Sequence, residues 1–460
     1  MPFIGNQPAL SYTSFAKQDF TTSATTSYAL SQPVTNENEI ALFINFVRQE
    51  PTTAYTASGT SLTLTSATSA SDDMYAIFLG KAVQTVNPPV GSVGLDKIDS
   101  TAKSFLTRNY RNIIINGDMS IAQRGTSFTS ITANTYTLDR WLTSGTGYTL
   151  TITQDTDVPT GQGFAKSTKL QVTTANASPS AGDNLQYQTR FEGQMLQYLK
   201  FGTSSAESLT MSFWVKSNLT GVYCTEFQND DNDKTRGANF TISSANTWEK
   251  KTITISGDTA SGFTNDNNRS MRLSFGLMSG SNTTGTNDSI ANWVTRSSNL
   301  TSIYPNLGVN FCSSTSNYIN ITGVQLEAGT SASDFEFLPV DVNLGRCQRY
   351  CEVYEGSSEE SQIPQSIAQC DLNNRAETII HYTRKRASPT ISVNTVGNLR
   401  VCTMANTNAT PVNFNTYVGT GLYGANIFCN VASGVSTNSL SGIIYLTFNG
   451  SAKITIDSEL

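Results

Sequence analysis

The sequence contains one histidine among 460 residues, His381, and this scarcity excludes several kinds of active site. A Ser-His-Asp or Cys-His nucleophile needs a histidine base beside it, and a zinc centre of three histidines needs two more. His381 lies in the stretch ETIIHYTRKR, whose alternation is typical of a strand. Enzymatic chemistry would depend on carboxylates alone, and no stretch marks a pair of them, so we expect a protein that is not an enzyme.

Charged residues are also scarce, at 14% of the chain against roughly a quarter in an average protein. The net charge of −6 is opposite in sign to the basic face that nucleic-acid binding requires. No apolar run approaches the roughly 20 residues that span a bilayer, and the first ten residues do not resemble a secretory signal. We therefore expect no nucleic-acid partner and no membrane insertion.

The seven cysteines give neither a zinc pattern nor a disulfide framework. Five are far apart, whereas Cys347 and Cys351 lie four residues apart, on one face if that segment is helical. In a chain of this length, the simplest interpretation is buried reduced thiols in a protein that folds in a cytoplasm.

Thr, Ser, Asn and Gly take the place of charged residues in this sequence, which also contains 18 Tyr and 22 Phe. β-Branched and aromatic residues suit pleated sheets, and Gly and Asn suit turns. Alternating segments such as SLTMSFWVK and MRLSFGLM recur between polar, turn-rich stretches. Composition and periodicity therefore predict an all-β chain, and its length predicts more than one domain.

Changes in composition and periodicity divide the chain into five segments. They are a small β-sandwich at 1–90, a linker with a short helix at 91–111, a jelly-roll or sandwich domain at 112–340, a short helix at 341–355 and a β-rich tip domain at 356–460. The stretches GLYGANIFCNVAS and GIIYLTFNGSAKITID are expected to finish the chain as a β-hairpin-like end.

Residues 20–80 resemble the small β-sandwich modules at the front of many phage tail fibres. In TSYALSQPVTNENEIALFINFVRQEPTTAYTASGT, Ile40, Leu42, Ile44 and Phe46 alternate on one face, and Ser58-Gly59 is a hairpin turn signal. Phe46 stands where that family often has the glycine of a tight turn. The resemblance implies that residues 1–90 attach the protein to nozzle or adaptor proteins of a phage tail.

The stretches NIIINGDMSIAQRGTSFT, LTMSFWVKS and YINITGVQLEAGTSASDFEFLPVDVNLGRCQRYCEVY resemble the jelly-roll domain, akin to carbohydrate-binding modules, that recurs in tail fibres and receptor-binding proteins of tailed phages. The closing motif, Gln325-Leu326-Glu327, Phe335-Glu336 and Cys347-Gln348-Arg349-Tyr350, is its most specific part. Cys351 replaces a common aromatic residue. The resemblance implies a jelly roll over residues 112–340, and HYTRKRASPTISV resembles an element of phage fibre tips.

Most motif residues are expected to be architectural. Asn116-Gly117 should supply a turn with positive φ after a first strand at residues 113–115. We expect Arg124 and Arg140 to pair with Glu327 or Glu336. The other residues with an expected structural role are Trp141 and Arg349.

For glycan binding, the candidates are aromatic rings outside the strands. Trp293 and Tyr304 lie in a polar stretch without alternation, so they are candidates for stacking on a sugar; the alternative is that the Trp293 ring caps a loop or contacts a neighbouring subunit. Trp214 and Trp248 lie in strand patterns and are expected in the core.

No metal site is predicted. The acidic loops at 228–237 and 262–270 lack the spacing of an EF-hand, and solvated turns explain them. The resemblance leaves open one cofactor, a structural Ca²⁺ near Asp118, but Ser120 stands where the related modules usually have glutamate.

Two apolar stripes suggest contacts between copies. Leu95, Ile98, Ala102 and Phe105 have helical spacing, on a helix too short to stand alone. They could dock against identical copies or against their own domain. Leu344, Cys347 and Cys351 form a second stripe, and both together predict a homotrimer.

The expected function is that of a structural virion protein, folded in the host cytoplasm and placed in the tail. It would be a tail fibre or receptor-binding protein that attaches to a glycan or protein receptor on the host surface. The alternatives are a decoration protein of the virion head or neck, and a tailspike that depolymerises glycans.

Overall fold

A computed structural model gives the structure of the chain. It describes residues 15–79, 110–284, 288–296, 303–355, 362–370, 375–394, 399–403, 408–409, 415–416, 420–430, 444–448 and 453–460. The chain divides into two compact units, Met1–Lys97 and Ile98–Leu460. None of the helices in the described part has the length and apolarity that crossing a bilayer demands.

The first unit is a small β-structure, as the alternation predicts. Its strands are β1 (Lys17–Phe20), β2 (Ser27–Val34), β3 (Ile40–Ile44), β4 (Val47–Arg48), β5 (Tyr55–Leu64) and β6 (Met74–Phe78), and a short 3-10 turn lies at Glu37–Glu39. Within the described residues, one sheet has the order β1-β6-β3-β4 and a second pairs β2 with β5. Apolar residues of β3, β5 and β6, such as Leu42, Leu62 and Ala76, are fully buried between them.

Two expectations for this unit are wrong. Phe46 does not continue the buried face of β3, because the chain turns at Asn45 (φ 51°) and Phe46 (φ 64°), which leaves the Phe46 ring 75% exposed. No hairpin forms at Ser58-Gly59 either. Strand β5 runs through this point with a left-handed Gly59 (φ 57°), and a register shift in its pairing with β2 accommodates it.

The second unit begins with thirteen strands. They are β7 (Ser127–Ile131), β8 (Thr135–Tyr136), β9 (Leu142–Thr146), β10 (Thr149–Asp155), β11 (Ser167–Thr174), β12 (Asn184–Glu192), β13 (Leu209–Ser217), β14 (Gly221–Asn229), β15 (Lys234–Ile242), β16 (Glu249–Ile255), β17 (Arg269–Ser279), β18 (Val294–Thr295) and β19 (Tyr318–Ala328). The intervening short helices are α1 (Asp288–Ala291) and the 3-10 turns Gly193–Met195, Gln197–Leu199 and Phe311–Ser313.

These strands form a jelly roll. Within the described residues, one sheet has the order β16-β13-β19-β11-β10-β7 and the other β18-β15-β14-β17-β12-β9-β8. The four-strand groups β16-β13-β19-β11 and β15-β14-β17-β12 have the strand order of two interleaved Greek keys, which defines the fold. The jelly roll expected from the sequence is therefore present.

The core of the jelly roll follows from period-two alternation. Leu209, Met211, Phe213 and Val215 of β13 face inward, and so do Met271, Leu273, Phe275 and Leu277 of β17, all fully buried. Trp141 lies between the sheets with its ring stacked on Tyr187 at 5.2 Å. Fully burying one such side chain contributes roughly 1.5–3 kcal/mol, so this core supplies most of the driving force for folding.

The opening motif is not the strand that the sequence predicts. Residues 111–113 have no regular structure and residues 114–116 form a bend. Asn112 instead fastens the motif to β19, because its Oδ1 accepts from the Leu326 amide at 3.0 Å and its Nδ2 donates to Val324 O at 3.1 Å. The positive φ falls on Asn116 (58°), and Gly117 is needed because a Cβ there would overlap the Val324 carbonyl.

The closing motif forms helix α2 (Val340–Gln348) and strand β20 (Cys351–Glu355). The predicted helix over 341–355 therefore ends early, because the chain pairs with the distant strand β29 (Lys453–Asp457) from Cys351 onward. Arg349 makes a bidentate ion pair with the buried Glu192, at 2.8 and 2.7 Å. This contact ties the motif to the end of β12.

The remaining strands are β21 (Gln362–Cys370), β22 (Arg375–His381), β23 (Thr390–Val393), β24 (Leu399–Thr403), β25 (Asn408–Ala409), β26 (Asn415–Thr416), β27 (Gly424–Asn430) and β28 (Ile444–Phe448). In the described residues they form the sheets β20-β29-β23 and β25-β24-β28-β21-β22-β27-β26. The expected hairpin-like end is wrong, because β27 and β28 are not neighbours in their sheet and β29 belongs to the other sheet. Lys385, fully buried, pairs with Glu352 at 2.7 Å and joins the KRASP stretch to β20.

Candidate functional site

A groove lies on the outer face of the six-stranded sheet of the jelly roll. Because Phe213 and Val215 of β13 point into the core, Trp214 between them points outward. Lys250 of the edge strand β16 is its direct cross-strand neighbour. Trp214 is half-buried and Lys250 is exposed, so an indole ring and an ammonium group lie side by side on this face.

Three phenylalanine rings form the opposite wall of the groove. Phe164, Phe335 and Phe337 contact one another with ring centroids 4.9 to 5.0 Å apart. Gly323, at φ 62°, allows the Phe164 ring to approach β19, since a Cβ at this position would meet that ring. Phe337 remains 51% exposed at the margin of the cluster.

The segment that carries Phe335 and Phe337 is held to β19 by the closing motif. Glu327 accepts from the Ser333 amide and hydroxyl, both at 2.8 Å. Gln325 accepts from the Glu336 amide at 2.8 Å and donates to the Asp334 carbonyl at 3.2 Å. The Gln-Leu-Glu motif is therefore architectural, and it positions the aromatic wall of the groove.

The groove has a volume of about 380 Å³, within the range of roughly 300–1,000 Å³ that is usual for small-molecule sites. Its polar lining comprises Gln162, Ser212, Lys250 and Asp334. Within the described residues, neither Lys250 nor Asp334 forms an ion pair. The groove therefore offers an aromatic surface, hydrogen-bond donors and one carboxylate.

The rings that the sequence singled out lie elsewhere. Trp293 is half-buried, with its Nε1 donating to Ser256 O at 2.9 Å and its ring edge-on to Phe201 at 5.7 Å, so it caps the core. Tyr304 is 1% exposed and packs against Gly276, where a Cβ would collide with its ring. In this position Tyr304 cannot stack on a sugar.

The prediction that Trp214 lies in the core is wrong. The alternation of SLTMSFWVK places position 214 on the opposite face of β13 from its apolar neighbours, and that face lies outside the core. Trp248 is also outside the core cluster, and its Nε1 donates to Asp157 at 2.9 Å.

The apolar stripe of the closing segment faces the interior. Cys347 is fully buried in a cluster with Ile115 and Tyr350, and Leu344 packs against the same cluster. Cys351, also fully buried, lies in β20 rather than on the helix. This stripe is therefore covered within its own unit. Leu95, Ile98, Ala102 and Phe105 lie outside the described residues.

In the described residues, the acidic loop at 228–237 is held by ion pairs, and Asp118 lies beside an arginine. Asp230 pairs with Arg269 and Arg272 at 2.9 and 2.7 Å. The cavity beside Asp118, about 10 Å³ in volume, is also lined by Arg346, whose positive charge disfavours a second cation there. The described residues contain no group of three or more His, Cys, Asp or Glu side chains that could hold a metal.

Arg124 and Arg140 do not pair with Glu327 or Glu336 as expected. Both contact Glu459, at the far end of the sequence. Burial and the negative charge of Glu459 nearby raise the pKa of Tyr136, which packs beside Arg124, to about 12. Glu336 instead accepts from the Asn112 amide at 2.9 Å.

No protein-family model matches the chain, and no curated protein matches it. Among solved structures, it is similar to the enzymatically active domain of tailspike protein 4 of bacteriophage CBA120, at 16% identity over 48% of this chain and 22% of that one (TM-score 0.27). It is also similar to TmCBM61 in complex with β-1,4-galactotriose, at 11% identity over 47% and 99% of the two chains (TM-score 0.24). A family 11 carbohydrate-binding module of Clostridium thermocellum aligns at 10% identity over 45% and 97% (TM-score 0.22).

Proposed function

We propose that this chain is a tail fibre or receptor-binding protein of a tailed phage, and that the groove beside Trp214 binds a glycan of the host surface. The observation that carries the proposal is the groove itself, in which aromatic and polar groups converge on one open face. The sequence resemblances of residues 20–80 and 112–355 to phage fibre modules support the placement in a tail.

The chemistry of the groove suits a sugar ring. One face of a pyranose is largely C–H, and it packs well on an indole such as Trp214. The hydroxyl groups at the ring edge both donate and accept, so Lys250 can donate to them and Asp334 can accept from them. A single carboxylate supplies hydrogen bonding, whereas glycosidases use two carboxyl groups roughly 5–10 Å apart.

A shallow groove of this kind gives weak binding at each site, and several copies on one particle multiply its effect. We propose a homotrimer on the basis of the sequence, because identical copies can bury the apolar stripe Leu95, Ile98, Ala102 and Phe105 by packing against one another. Size exclusion with light scattering on the whole protein tests the mass directly.

Attachment to the virion is proposed for residues 1–90. The hairpin tip of the first unit exposes Phe46 and Val47, at 75% and 64%. Two adjacent apolar side chains on a protruding turn suit a protein contact. Imaging of labelled protein on particles distinguishes the tail from the alternative positions at the head or neck, and deletion of residues 1–90 should prevent incorporation.

The binding experiment uses an array of bacterial surface polysaccharides, followed by titration of the best ligand. Replacing Trp214 with Ala should weaken binding by roughly tenfold or more, because stacked aromatic anchors dominate such contacts. Trp293→Ala is the matched control, since that ring lies outside the groove, and it should bind as the parent does. Equal affinity of the Trp214 variant and the parent would contradict the assignment of the groove.

The same samples test the depolymerase alternative. Incubation of the parent and of Asp334→Asn with the bound polysaccharide, followed by measurement of chain length, should show no shortening with either protein. Progressive shortening by the parent alone would establish an enzyme that uses Asp334.

A further inference from the structure

Three arginines of the jelly roll converge on the segment Asp457–Leu460. Arg140 forms an ion pair with Glu459 in which both side chains are almost fully buried. Arg124 lies 3.4 Å from the same carboxylate and 3.0 Å from Asp457. Arg190 donates to the carbonyl oxygen of Leu460. We call Arg124, Arg140, Arg190 and Tyr136 the arginine pocket.

The backbone of the segment is recognised as well as its side chains. Tyr136 donates its hydroxyl to the carbonyl of Leu460 at 2.7 Å. Arg386 donates to the carbonyls of Ser458 and Glu459 at 2.6 and 2.7 Å. Side-chain pairing combined with hydrogen bonds to consecutive carbonyls is the pattern by which proteins bind extended peptides.

The arginine pocket requires an anion. Arg140 is fully buried, and its guanidinium also lies over the Tyr350 ring at 3.5 Å. Within the described residues, the Nε atoms of Arg140 and Arg190 are buried and donate to no acceptor. Removal of Glu459 would leave the Arg140 charge buried without its counter-ion, which is a strongly unfavourable state.

We propose that the arginine pocket is a binding site for an acidic peptide, and that its occupant is the segment 457–460 of this same chain, which latches the C-terminal strands to the jelly roll. The position of the segment determines which strands the latch stabilises. It directly follows β29, the middle strand of the sheet β20-β29-β23. Strand β20 leads into strands β21–β28 and β29 returns from them, so one contact secures both ends of that region.

A peptide added in trans tests the recognition. The peptide DSEL, which corresponds to residues 457–460 and carries a fluorophore at its amino end, is titrated into a chain that lacks those residues. Saturable binding is expected, and a peptide with Gln in place of Glu459 should bind about 30-fold more weakly, because one partner of a buried charge pair is lost. A scrambled peptide of the same composition is the control. Absence of binding to a folded, truncated chain would overturn the proposal.

The full-length chain provides a second test if the truncated one does not fold. In Glu459→Gln, amide hydrogen exchange in β29 and β20 should accelerate by roughly tenfold or more, because the latch no longer holds their ends. The matched control is Glu207→Gln, which removes an exposed ion pair with Lys200 on the same jelly roll. Unchanged amide exchange in the Glu459 variant would show that this ion pair does not hold β20 and β29, and would overturn the proposal.

Discussion

Replacing Gly117 with Ala tests the link between the opening motif and β19. The φ angle of Gly117 is not left-handed, so the substitution adds no backbone strain of that kind. The added Cβ would instead overlap the carbonyl oxygen of Val324, at a separation well below 3.0 Å, the shortest contact distance that real Cβ atoms show. It would also lie 3.3 Å from Asn112 Nδ2. Because the obstacle is backbone in the middle of a sheet, it cannot move aside cheaply.

The expected loss of stability can be estimated from these contacts. Forcing one methyl group into a filled site costs typically about 1–3 kcal/mol. The shift also weakens two hydrogen bonds, from Val324 N to Gly117 O at 2.9 Å and from Asn112 Nδ2 to Val324 O at 3.1 Å. At about 1 kcal/mol each, they bring the total to about 3–5 kcal/mol.

Differential scanning calorimetry of the whole protein measures the effect. A unit of roughly 360 residues unfolds with an entropy near 0.75 kcal/mol/K, so a loss of about 3–5 kcal/mol should lower its midpoint by about 4–7 °C. Gly182→Ala is the control, since a Cβ at Gly182 would meet nothing within 4 Å. If both variants melt at the same temperature, the close approach at Gly117 does not constrain the fold.

Two further predictions concern Phe46 and Glu192. Phe46→Gly should relieve the left-handed strain of a bulky residue and stabilise the first unit by about 0.5–1 kcal/mol, seen as slower amide exchange in β3 and β6 of the whole chain. Faster exchange would mean that the ring makes contacts worth more than the strain. Burial alone would raise the pKa of Glu192, but hydrogen bonds from Arg349 and Tyr350 outweigh it and hold the pKa below its ordinary value of 4.5. Its charge therefore stabilises the fold above that pH, so the gap in unfolding free energy between the parent and Glu192→Gln should shrink as the pH falls through the lowered pKa. A gap that stays constant down to pH 3 would contradict this linkage.

The sequence by itself determined the fold class and most strands of the jelly roll. In a strand packed on one face, apolar residues recur at every second position, and this signal is local. The stretch SLTMSFWVK therefore predicts β13 and its inward residues, and MRLSFGLM predicts β17, without any knowledge of their partners.

The tertiary structure decided what depends on remote partners. Arg140 and Glu459 are 319 residues apart in sequence, and nothing near either residue indicates the other. Helix α2 ends at Gln348 because β29, a hundred residues later, pairs with the chain from Cys351 onward. Tyr304 is buried because Gly276 leaves room for its ring. The groove likewise exists only because β13, β16 and the segment with Phe335 meet in three dimensions. Local periodicity carries no information about such meetings, since they depend on which distant surfaces fit together.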